Sequence, residues 1–383
     1  MFISFDDLTN ILLIITVTLF IIQLVYLLFV YNIHFLNRNK VSDETITPPL
    51  SVIIVARNSI EDIRSNLKAI LEQDYPDFEV IVVYEQGEKM LEVELTRLQH
   101  DYNNLYHTFI PESAKYISHK KLGQTIGIKA SKNDIIVLTE SNAYPTSNQW
   151  LRKIASNFSP ETDFVIGYSN YEKRKGWQNR KIIFDRLQES MRFLGLAIDK
   201  MPYTASGYNL AYRKEVFYKN NGFNKFLKFK RGEDDLFVNQ HANAGNCKVE
   251  LCAESVIRIN HPSNKIDWEQ EKLSTYITKK YYKGAGKYIS GFDTTSKFLF
   301  FISAVGTAVF SFLSFNWILF SIALGTLLLH FIIQVTVFLN VCSKLSERRY
   351  ILTLPLFNLY QPLLNIDFII KKKLTNKKDF LRR

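Results

Sequence analysis

Two long stretches of the chain contain no charged residue, and they differ sharply from the polar sequence between them. These stretches are residues 8–33 and 298–343. A helix over 10–33 would be about 36 Å long, enough to cross a hydrocarbon core of about 30 Å. The second stretch would be about twice as long as a bilayer needs if it formed one helix, so we expect a turn within it. The pattern therefore predicts a transmembrane helix at 10–33 and a transmembrane hairpin at 297–341, with crossings at 298–314 and 317–341.

The first apolar stretch is interpreted as a retained anchor and not as a signal peptide. It is too long for a signal peptide, no small-residue cleavage site follows it, and Asp6 and Asp7 precede it where Lys or Arg would be usual. Lys and Arg residues follow the first predicted helix, precede the second and follow the third. This distribution predicts that residues 1–9 lie outside and that the middle of the chain and its C-terminus lie in the cytoplasm.

The positive charge of the chain is concentrated near its end. The whole sequence has 48 Lys and Arg against 37 Asp and Glu, a net charge of +11, and residues 344–383 carry +7 of it. Residues 350–370 are apolar but contain Pro355 and Pro362, and a fourth crossing would move the basic tail outside. We therefore predict an interfacial segment and basic cytoplasmic tail at 342–383, which binds anionic lipid and not nucleic acid.

A second interfacial segment is predicted at 267–296. Aromatic residues alternate there with lysines, which is unusual for a core helix but typical of an amphipathic segment at a membrane surface. This interpretation places one side of any neighbouring binding site at the bilayer.

Between a linker at 34–47 and this segment, residues 48–266 alternate apolar strand patterns with helical ones. Strands are predicted at 51–56, 78–83, 105–109 and 135–138, and helices at 60–72 and 119–130. Continuous apolar strands of this kind indicate an α/β domain with a mostly parallel sheet covered on both faces. Ligands of such sheets bind beyond the carboxyl ends of the strands.

Carboxylates follow two of these predicted strands, and a third acidic group comes later. Glu85 follows the second strand and Glu140 follows the fourth, while Glu233, Asp234 and Asp235 are consecutive. Acids at such positions are often solvated or lie at a helix N-terminus, where the helix dipole favours them. The apolar sequence on both sides of 233–235 instead indicates partial burial, in which crowded carboxylates raise one another's pKa, as a general base requires.

The following segments occur in this order along the chain: Pro49 to Asn58, Gln73-Asp74-Tyr75-Pro76, Phe78 to Val83, Lys120-Lys121-Leu122, Thr139 to Pro145, Trp150-Leu151, Ser206 to Arg213 and Gly232 to Phe237. Together they resemble family 2 glycosyltransferases with the GT-A fold, and the resemblance covers about residues 48–275. The flanking predicted membrane helices resemble those of bacterial membrane-anchored members.

The resemblance implies a nucleotide-sugar donor, with a UDP-sugar favoured, bound near Ala56, Asn58 and other side chains. In the family, the acid at the Glu85 position holds the uracil, and Lys120 matches a lysine that helps to neutralise the diphosphate. The family's Asp-x-Asp motif contacts the sugar and a divalent metal, and here it reads Glu140-Ser141-Asn142. Glu140 and Asn142 are thus the implied ligands of Mg²⁺ or Mn²⁺, with one charge fewer than usual.

The resemblance also implies the catalytic group. The acidic motif Glu233-Asp234-Asp235 contains the family's base, which we assign to Asp234, with Asp235 as the alternative register. The implied reaction is a single displacement that inverts the sugar, on a lipid-linked or glycan acceptor in cell-envelope synthesis at the bacterial cytoplasmic membrane.

Two other interpretations stay open from the sequence. One is a component of a processive polysaccharide synthase. The family's Gln-x-x-Arg-Trp-type motif, which is associated with such synthases, is eroded here to Trp268-Glu269-Gln270-Glu271-Lys272-Leu273-Ser274-Thr275, with Ser and Thr in place of Arg and an aromatic residue or His. The other is a non-catalytic membrane scaffold with a degenerate GT-A domain.

Overall fold

The structure is a computed structural model, and it describes residues 5–33, 47–56, 60–112, 118–260 and 265–374. The strands are β1 Leu50–Val55, β2 Phe78–Glu85, β3 Leu105–Ile110, β4 Ile135–Glu140, β5 Ala143–Pro145, β6 Phe164–Gly167, β7 Ser169–Tyr171, β8 Leu210–Arg213, β9 Cys247–Glu250 and β10 Ile257–Ile259. The α-helices are α1 Phe5–Val25, α2 Ile60–Leu71, α3 Lys89–Asp101, α4 His119–Ala130, α5 Trp150–Ala155, α6 Trp177–Ile198, α7 Lys214–Lys219, α8 Asp235–His241, α9 Lys265–Thr278, α10 Gly286–Leu313, α11 Trp317–Lys344 and α12 Leu354–Leu374.

The main sheet has seven strands in the order β3-β2-β1-β4-β8-β6-β9. The first four strands in this order are parallel, which confirms the predicted α/β alternation, while β8 is antiparallel to both of its neighbours. The apolar side chains of β1 are buried throughout most of the strand, as expected for a parallel sheet covered on both faces. A second sheet, β5-β10-β7, lies beyond β4 and completes the mixed α/β domain.

Helix α4 packs unusually close to the sheet. A Cβ atom at Gly123 would lie 2.7 Å from Val55, and one at Gly127 would lie 2.5 Å from Ile53. Both distances are too short for any side chain, so glycine is needed for this close approach. Because α4 is held against β1 here, its first turn is fixed above the carboxyl edge of the sheet.

Three helices among the described residues are long and apolar enough to span a membrane: Asp7–Val30, Gly286–Leu313 and Trp317–Lys344. They correspond to the three predicted crossings, and α1 continues through a π-helical turn at Tyr26–Val30. The predicted turn lies between α10 and α11, where the Asn316 side chain accepts a hydrogen bond from the Leu319 N–H. The helix α10 already begins at Gly286, so residues 286–296 belong to it and not to a separate interfacial segment as predicted.

The α/β domain is attached to the membrane helices through buried polar contacts. Arg258 on β10 forms an ion pair with Glu347, which follows α11, and both residues are buried. Helix α12 stacks on the domain through Phe357, which lies against Trp177, and Phe368, which lies against Tyr276. The domain and the membrane helices therefore share one packed interface.

Candidate functional site

A cleft of about 640 Å³ opens at the carboxyl end of β4. Its walls come from α4, α6, the segment before β8, the start of α8, and α9. Its lining residues are Lys120, Glu140, Arg186, Glu189, Ser190, Phe193, Thr204, Ala205, Ser206, Tyr208, Arg231, Glu233, Asp234, Asp235, Glu271, Ser274, Thr275 and Thr278. The predicted residues Lys120, Glu140 and 233–235 thus lie in one cleft.

The first turn of α4 presents two basic side chains to two strand ends. The His119 Nδ1 atom lies 3.2 Å from Glu85 Oε1, at the end of β2. The Lys120 Nζ atom lies 2.6 Å from Glu140 Oε1, at the end of β4. Burial lowers the pKa of Lys120, but the carboxylates of Glu140, Glu233 and Asp234 outweigh it and hold that pKa well above its ordinary value.

Glu233 is the most deeply buried member of the acidic cluster, with 1% of its surface exposed. Its Oε1 atom lies 3.0 Å from Lys120 Nζ, and its Oε2 atom lies 3.9 Å from Lys121 Nζ. Lys121 in turn donates hydrogen bonds to the carbonyl oxygens of Phe229 and Arg231. Lys121 therefore fixes the loop that places Glu233 in the cleft. It also gives the buried Glu233 carboxylate a nearby positive charge, which offsets the cost of removing that carboxylate from water.

Asp234 is the N-cap of α8 and is partly exposed to the cleft. Its Oδ1 atom accepts the Asp235 N–H at 2.8 Å, and its Oδ2 atom accepts the Gly207 N–H at 2.7 Å. Burial raises the pKa of Asp234, but Lys120 and these N–H donors outweigh it and leave the pKa below its ordinary value. A Cβ atom at Gly207 would lie 2.7 Å from Asp234 Oδ2, so glycine makes this backbone contact possible. The result is a fixed, ionised carboxylate that faces the cleft.

Asp235 is buried and faces the end of α9 and the segment that joins α9 to α10. Its Oδ2 atom accepts hydrogen bonds from the hydroxyls of Thr278 and Tyr282, the latter at 2.8 Å. Burial and the neighbouring Asp234 carboxylate raise the pKa of Asp235 to about 7. Asp235 therefore connects α8 to the end of α9, and it is a poorer candidate than Asp234 for contact with a ligand.

We expect the Asp235→Asn variant to lose a pH dependence of stability that the wild type has. The carboxyl has an unfolded pKa of about 3.9 and a folded pKa of about 7, so between these values the folded chain holds a proton that the unfolded chain lacks. Its stabilising contribution is complete below about pH 4 and is lost as the pH rises through about 7. In detergent, the midpoint of thermal unfolding of the variant should therefore rise relative to that of the wild type as the pH increases from about 5 to about 8.

The matched control for this experiment is Asp101→Asn, because the Asp101 side chain is 53% exposed and lies far along the chain from the cleft. Its unfolding midpoints should run parallel to those of the wild type across the same pH range. Parallel curves for Asp235→Asn as well would contradict the assignment of a raised pKa to Asp235.

Four other predicted donor-site residues are not among those that line the cleft. Ala56 is buried, and its N–H donates to the Val83 carbonyl oxygen at 2.8 Å. Glu85 lies beside His119 at the end of β2, and Asn142 lies in the turn between β4 and β5. Asn58 lies outside the residues that the structure describes. Their roles at a donor site stay predictions.

The residues of the predicted metal motif do not form a ligand set. Glu140 lies in the cleft and is ion-paired with Lys120, whereas Asn142 is not part of the lining. The Asn142 Oδ1 atom is buried without a hydrogen-bond partner among the described residues, but its backbone carbonyl is bonded to the Asn260 N–H at 2.7 Å. Within the ranges that the structure describes, no group of three His, Cys, Asp or Glu residues could hold a metal ion. The arrangement therefore does not fit the Mg²⁺ or Mn²⁺ site that the sequence implies.

The cleft also contains charged residues that the sequence did not single out. Arg186 on α6 lies 3.2 Å from Glu271 on α9 and donates to the Ser206 hydroxyl at 2.7 Å. Arg231 lies two residues before Glu233, and this proximity to the acidic cluster was the one signal for it in the sequence. Arg186 and Glu271 are 85 residues apart, so only the packing of α9 on the domain brings them together.

Two solved structures are similar to this chain, and the first of them shares its fold. The chain is similar to the solved structure of the mannosyltransferase PcManGT from Pyrobaculum calidifontis in complex with GDP-Man and Mn²⁺, with 15% identity, 88% of this chain and 99% of that chain covered, and a TM-score of 0.56. It is also similar to S. aureus TarS 1–349 in complex with UDP-GlcNAc, with 15% identity, 83% and 91% coverage, and a TM-score of 0.43.

No curated protein matches the chain. Residues 14–364, however, match the model of glycosyl transferase family 21, which spans the anchor helix, the α/β domain and most of the C-terminal helices. The expected GT-A-type glycosyltransferase is thereby confirmed, and the family model that matches is family 21, where the sequence resemblance indicated family 2. The chain is a glycosyltransferase and belongs to glycosyl transferase family 21.

Proposed function

We propose that this glycosyltransferase inverts the sugar it transfers, from a nucleotide-sugar to a hydroxyl group of a lipid-linked acceptor at the membrane surface. The observation that carries the proposal is the composition of the cleft wall. Thr275 and Thr278 of α9 line the same cleft as Asp234, and α9 leads into the membrane helix α10 after only seven residues. An acceptor held by a lipid in the bilayer would therefore meet Asp234 from the α9 side.

Asp234 is the proposed general base. It takes the proton of the acceptor hydroxyl as the hydroxyl oxygen forms a bond to the anomeric carbon of the donor. The bond between that carbon and the diphosphate oxygen breaks in the same step, and the nucleoside diphosphate leaves with the bonding electrons. One in-line displacement inverts the configuration, and the protein supplies positioning, proton removal and charge stabilisation.

Two cationic side chains support a place for the diphosphate near β4. Lys120 and Arg231 both line the cleft beside Glu140 and Glu233. A nucleoside diphosphate that departs there gains negative charge, which cations in a partly enclosed site stabilise strongly. The solved mannosyltransferase contains GDP-Man, and we propose a UDP- or GDP-sugar as the donor of this enzyme, with UDP preferred on the sequence resemblance.

The helix α12 supports a location at the membrane surface. One face of α12 packs on the domain through residues such as Phe357, Leu364 and Phe368, which are buried. Its opposite face exposes a row of large apolar side chains: Leu356, Leu359, Leu363, Ile366 and Ile370. Lys371, Lys372 and Lys373 follow this row. An exposed apolar face next to a basic cluster is the arrangement of a helix that lies in the interface of an anionic membrane, here proposed as the cytoplasmic leaflet.

Acceptor preference tests the proposal. Purified enzyme in detergent or lipid nanodiscs is incubated with labelled UDP- and GDP-sugars and with polyprenyl-linked, diacylglycerol-linked or water-soluble oligosaccharide acceptors. We expect transfer to a lipid-linked acceptor, with an inverted anomeric configuration in the product measured by NMR.

The Asp234→Asn variant is the control for background hydrolysis in this assay. A preference for a water-soluble oligosaccharide over every lipid-linked acceptor would contradict the proposed acceptor class. No transfer from any of these UDP- and GDP-sugars by the wild type would contradict the proposed donor class.

A further inference from the structure

Two carboxylates from distant parts of the chain converge on a single cationic atom in the cleft. The Lys120 Nζ atom lies 2.6 Å from Glu140 Oε1 and 3.0 Å from Glu233 Oε1. Glu140 ends β4 and Glu233 precedes α8, so the fold, and not local sequence, creates this point. The contact with Glu140 is a charge-assisted hydrogen bond, and the contact with Glu233 is an ion pair.

Two acidic groups that face one point in a partly buried site repel each other unless a cation lies between them. In a glycosyltransferase cleft, a divalent metal would be the usual cation, and Glu140 is the implied ligand. Here the point between Glu140 and Glu233 is filled by the ammonium group of Lys120. A metal ion could occupy it only if Lys120 moved away, because two cations cannot share the same pair of oxygens at these distances.

The third residue of the Glu140-Ser141-Asn142 motif does not supply a further metal ligand at this point. Asn142 is uncharged and is not among the residues that line the cleft. A metal at this point would therefore have to be held by two carboxylates that already have a cationic partner, whereas Mg²⁺ and Mn²⁺ require several oxygen ligands in a near-octahedral arrangement.

We propose that the ammonium group of Lys120 takes the place of the divalent cation, so that the enzyme transfers its sugar without a metal. This inference rests on the proposed function. In the reaction, Lys120 Nζ–H donates to an oxygen of the departing diphosphate and stabilises its negative charge, and no proton is transferred by the lysine. Glu140 and Glu233 hold the lysine in position from either side.

A second consequence follows for a variant that lacks the ammonium group. If Lys120 becomes methionine, Glu140 and Glu233 still converge but have lost the cation between them. The site then has two carboxylates that face one point, which is the beginning of a metal site. The Lys120→Met variant should therefore bind Mn²⁺ better than the wild type and should depend on it for activity.

The test compares the wild type, Lys120→Met, Lys120→Arg and Lys129→Met, each freed of metal by a chelator. Lys129 lies on the same helix but is exposed, so its variant is the matched control. Two quantities are measured for each protein: the binding of Mn²⁺ alone by electron paramagnetic resonance, and the transfer rate in chelator and after addition of Mn²⁺. Mn²⁺ binding is measured without donor, so its result is independent of whether the proposed function is correct.

We expect the wild type and Lys129→Met to keep their transfer rates in chelator within about threefold and to bind no Mn²⁺ specifically. Lys120→Arg keeps a cation between the two carboxylates, so it should also bind no Mn²⁺ specifically, and any transfer rate that it has should be the same in chelator and after addition of Mn²⁺. Lys120→Met should lose about 100-fold of its rate in chelator, bind Mn²⁺, and recover at least about tenfold when Mn²⁺ is added. Lys120→Arg keeps the test decisive if Lys120→Met does not fold.

Three results would overturn the proposal. The first is specific Mn²⁺ binding by the wild type, and the second is a wild-type rate that is lost in chelator and restored by Mn²⁺. The third is a Lys120→Met variant that folds, binds no Mn²⁺ and keeps its rate. A wild type without transferase activity contradicts the proposed function, and the Mn²⁺ binding measurements then decide the ion question alone.

Discussion

The Asp234→Asn variant is expected to lower kcat by about 100-fold to 10,000-fold, the range in which general bases contribute. Asparagine has the shape of aspartate and is a good N-cap, so the variant should keep the start of α8 and the contact with the Gly207 N–H. What it loses is the negative oxygen that accepts the acceptor proton. The KM for the donor should therefore change only a few-fold, because the donor contacts proposed for Lys120 and Arg231 are retained.

The matched comparison is Asp235→Asn, the alternative register of the same motif. Both Asp235 oxygens are occupied by hydrogen bonds, to Thr278 and Tyr282 on one side and to the Leu236 N–H on the other. We expect this variant to lose much less of its kcat than Asp234→Asn. The opposite order of the two effects would transfer the role of base to Asp235.

The pH profile of kcat separates the same two assignments. A base must be deprotonated, and the pKa of Asp234 lies below its ordinary value. If Asp234 is the base, it stays deprotonated as the pH decreases from about 8 to about 5, so its protonation should not lower the rate in this range. If Asp235 is the base, the rate should halve near its pKa of about 7 and fall further below it.

The Arg258→Met variant is expected to produce the largest loss of stability, about 3–5 kcal/mol. Arg258 and Glu347 are 5% and 8% exposed, and Glu347 also accepts from the Tyr168 hydroxyl at 3.0 Å. Removing the guanidinium group leaves the buried Glu347 carboxylate without a cation. The free energy of unfolding lost in this way is much larger than the contribution of the intact ion pair. The variant should show a lower midpoint of thermal unfolding in detergent than any surface substitution.

The double variant Arg258→Met/Glu347→Leu is the control that identifies the cause. Because the double variant also removes the unpaired Glu347 carboxylate, it should recover at least half of the lost stability. A double variant as unstable as Arg258→Met would show that lost packing, and not the unpaired charge, causes the effect. The pair joins β10 to the segment after α11, so the same measurement reports on how firmly the domain is attached to the membrane helices.

Much of the fold follows from local patterns in the sequence. The uncharged stretches predicted the three long apolar helices, because a helix that crosses a bilayer needs about twenty apolar residues and little else. Their predicted ends lie close to those in the structure, except that the second of these helices already begins at Gly286. The first four strands follow from short apolar runs such as 51–56 and 135–138, since buried parallel strands are apolar on both faces. The order of the motifs also sufficed to recognise a glycosyltransferase.

Other features could not be read from the sequence. β4 pairs in the antiparallel direction with β8, although Leu138 and its partner Leu210 are far apart in the sequence, and no local pattern specifies the partner of a strand. The start of the helix α10 is a second such feature, because α10 includes the polar residues 286–296, among which Asp293 is buried beside Arg192. The periodicity of apolar residues along a helix does not show that a charged residue such as Asp293 is buried next to a partner of opposite charge.

The sequence by itself determined the membrane helices, the strands of the parallel half of the sheet and the acidic residues at their ends, because these depend on burial within one element. Only the tertiary structure decided how those residues meet. Lys120 lies between Glu140 and Glu233, Asp235 faces Thr278 and Tyr282, and α9 closes the cleft above Asp234. Each contact joins residues from separate elements, so it depends on how close α4 packs on the sheet and how α9 packs on the domain, and that packing is a property of the whole chain.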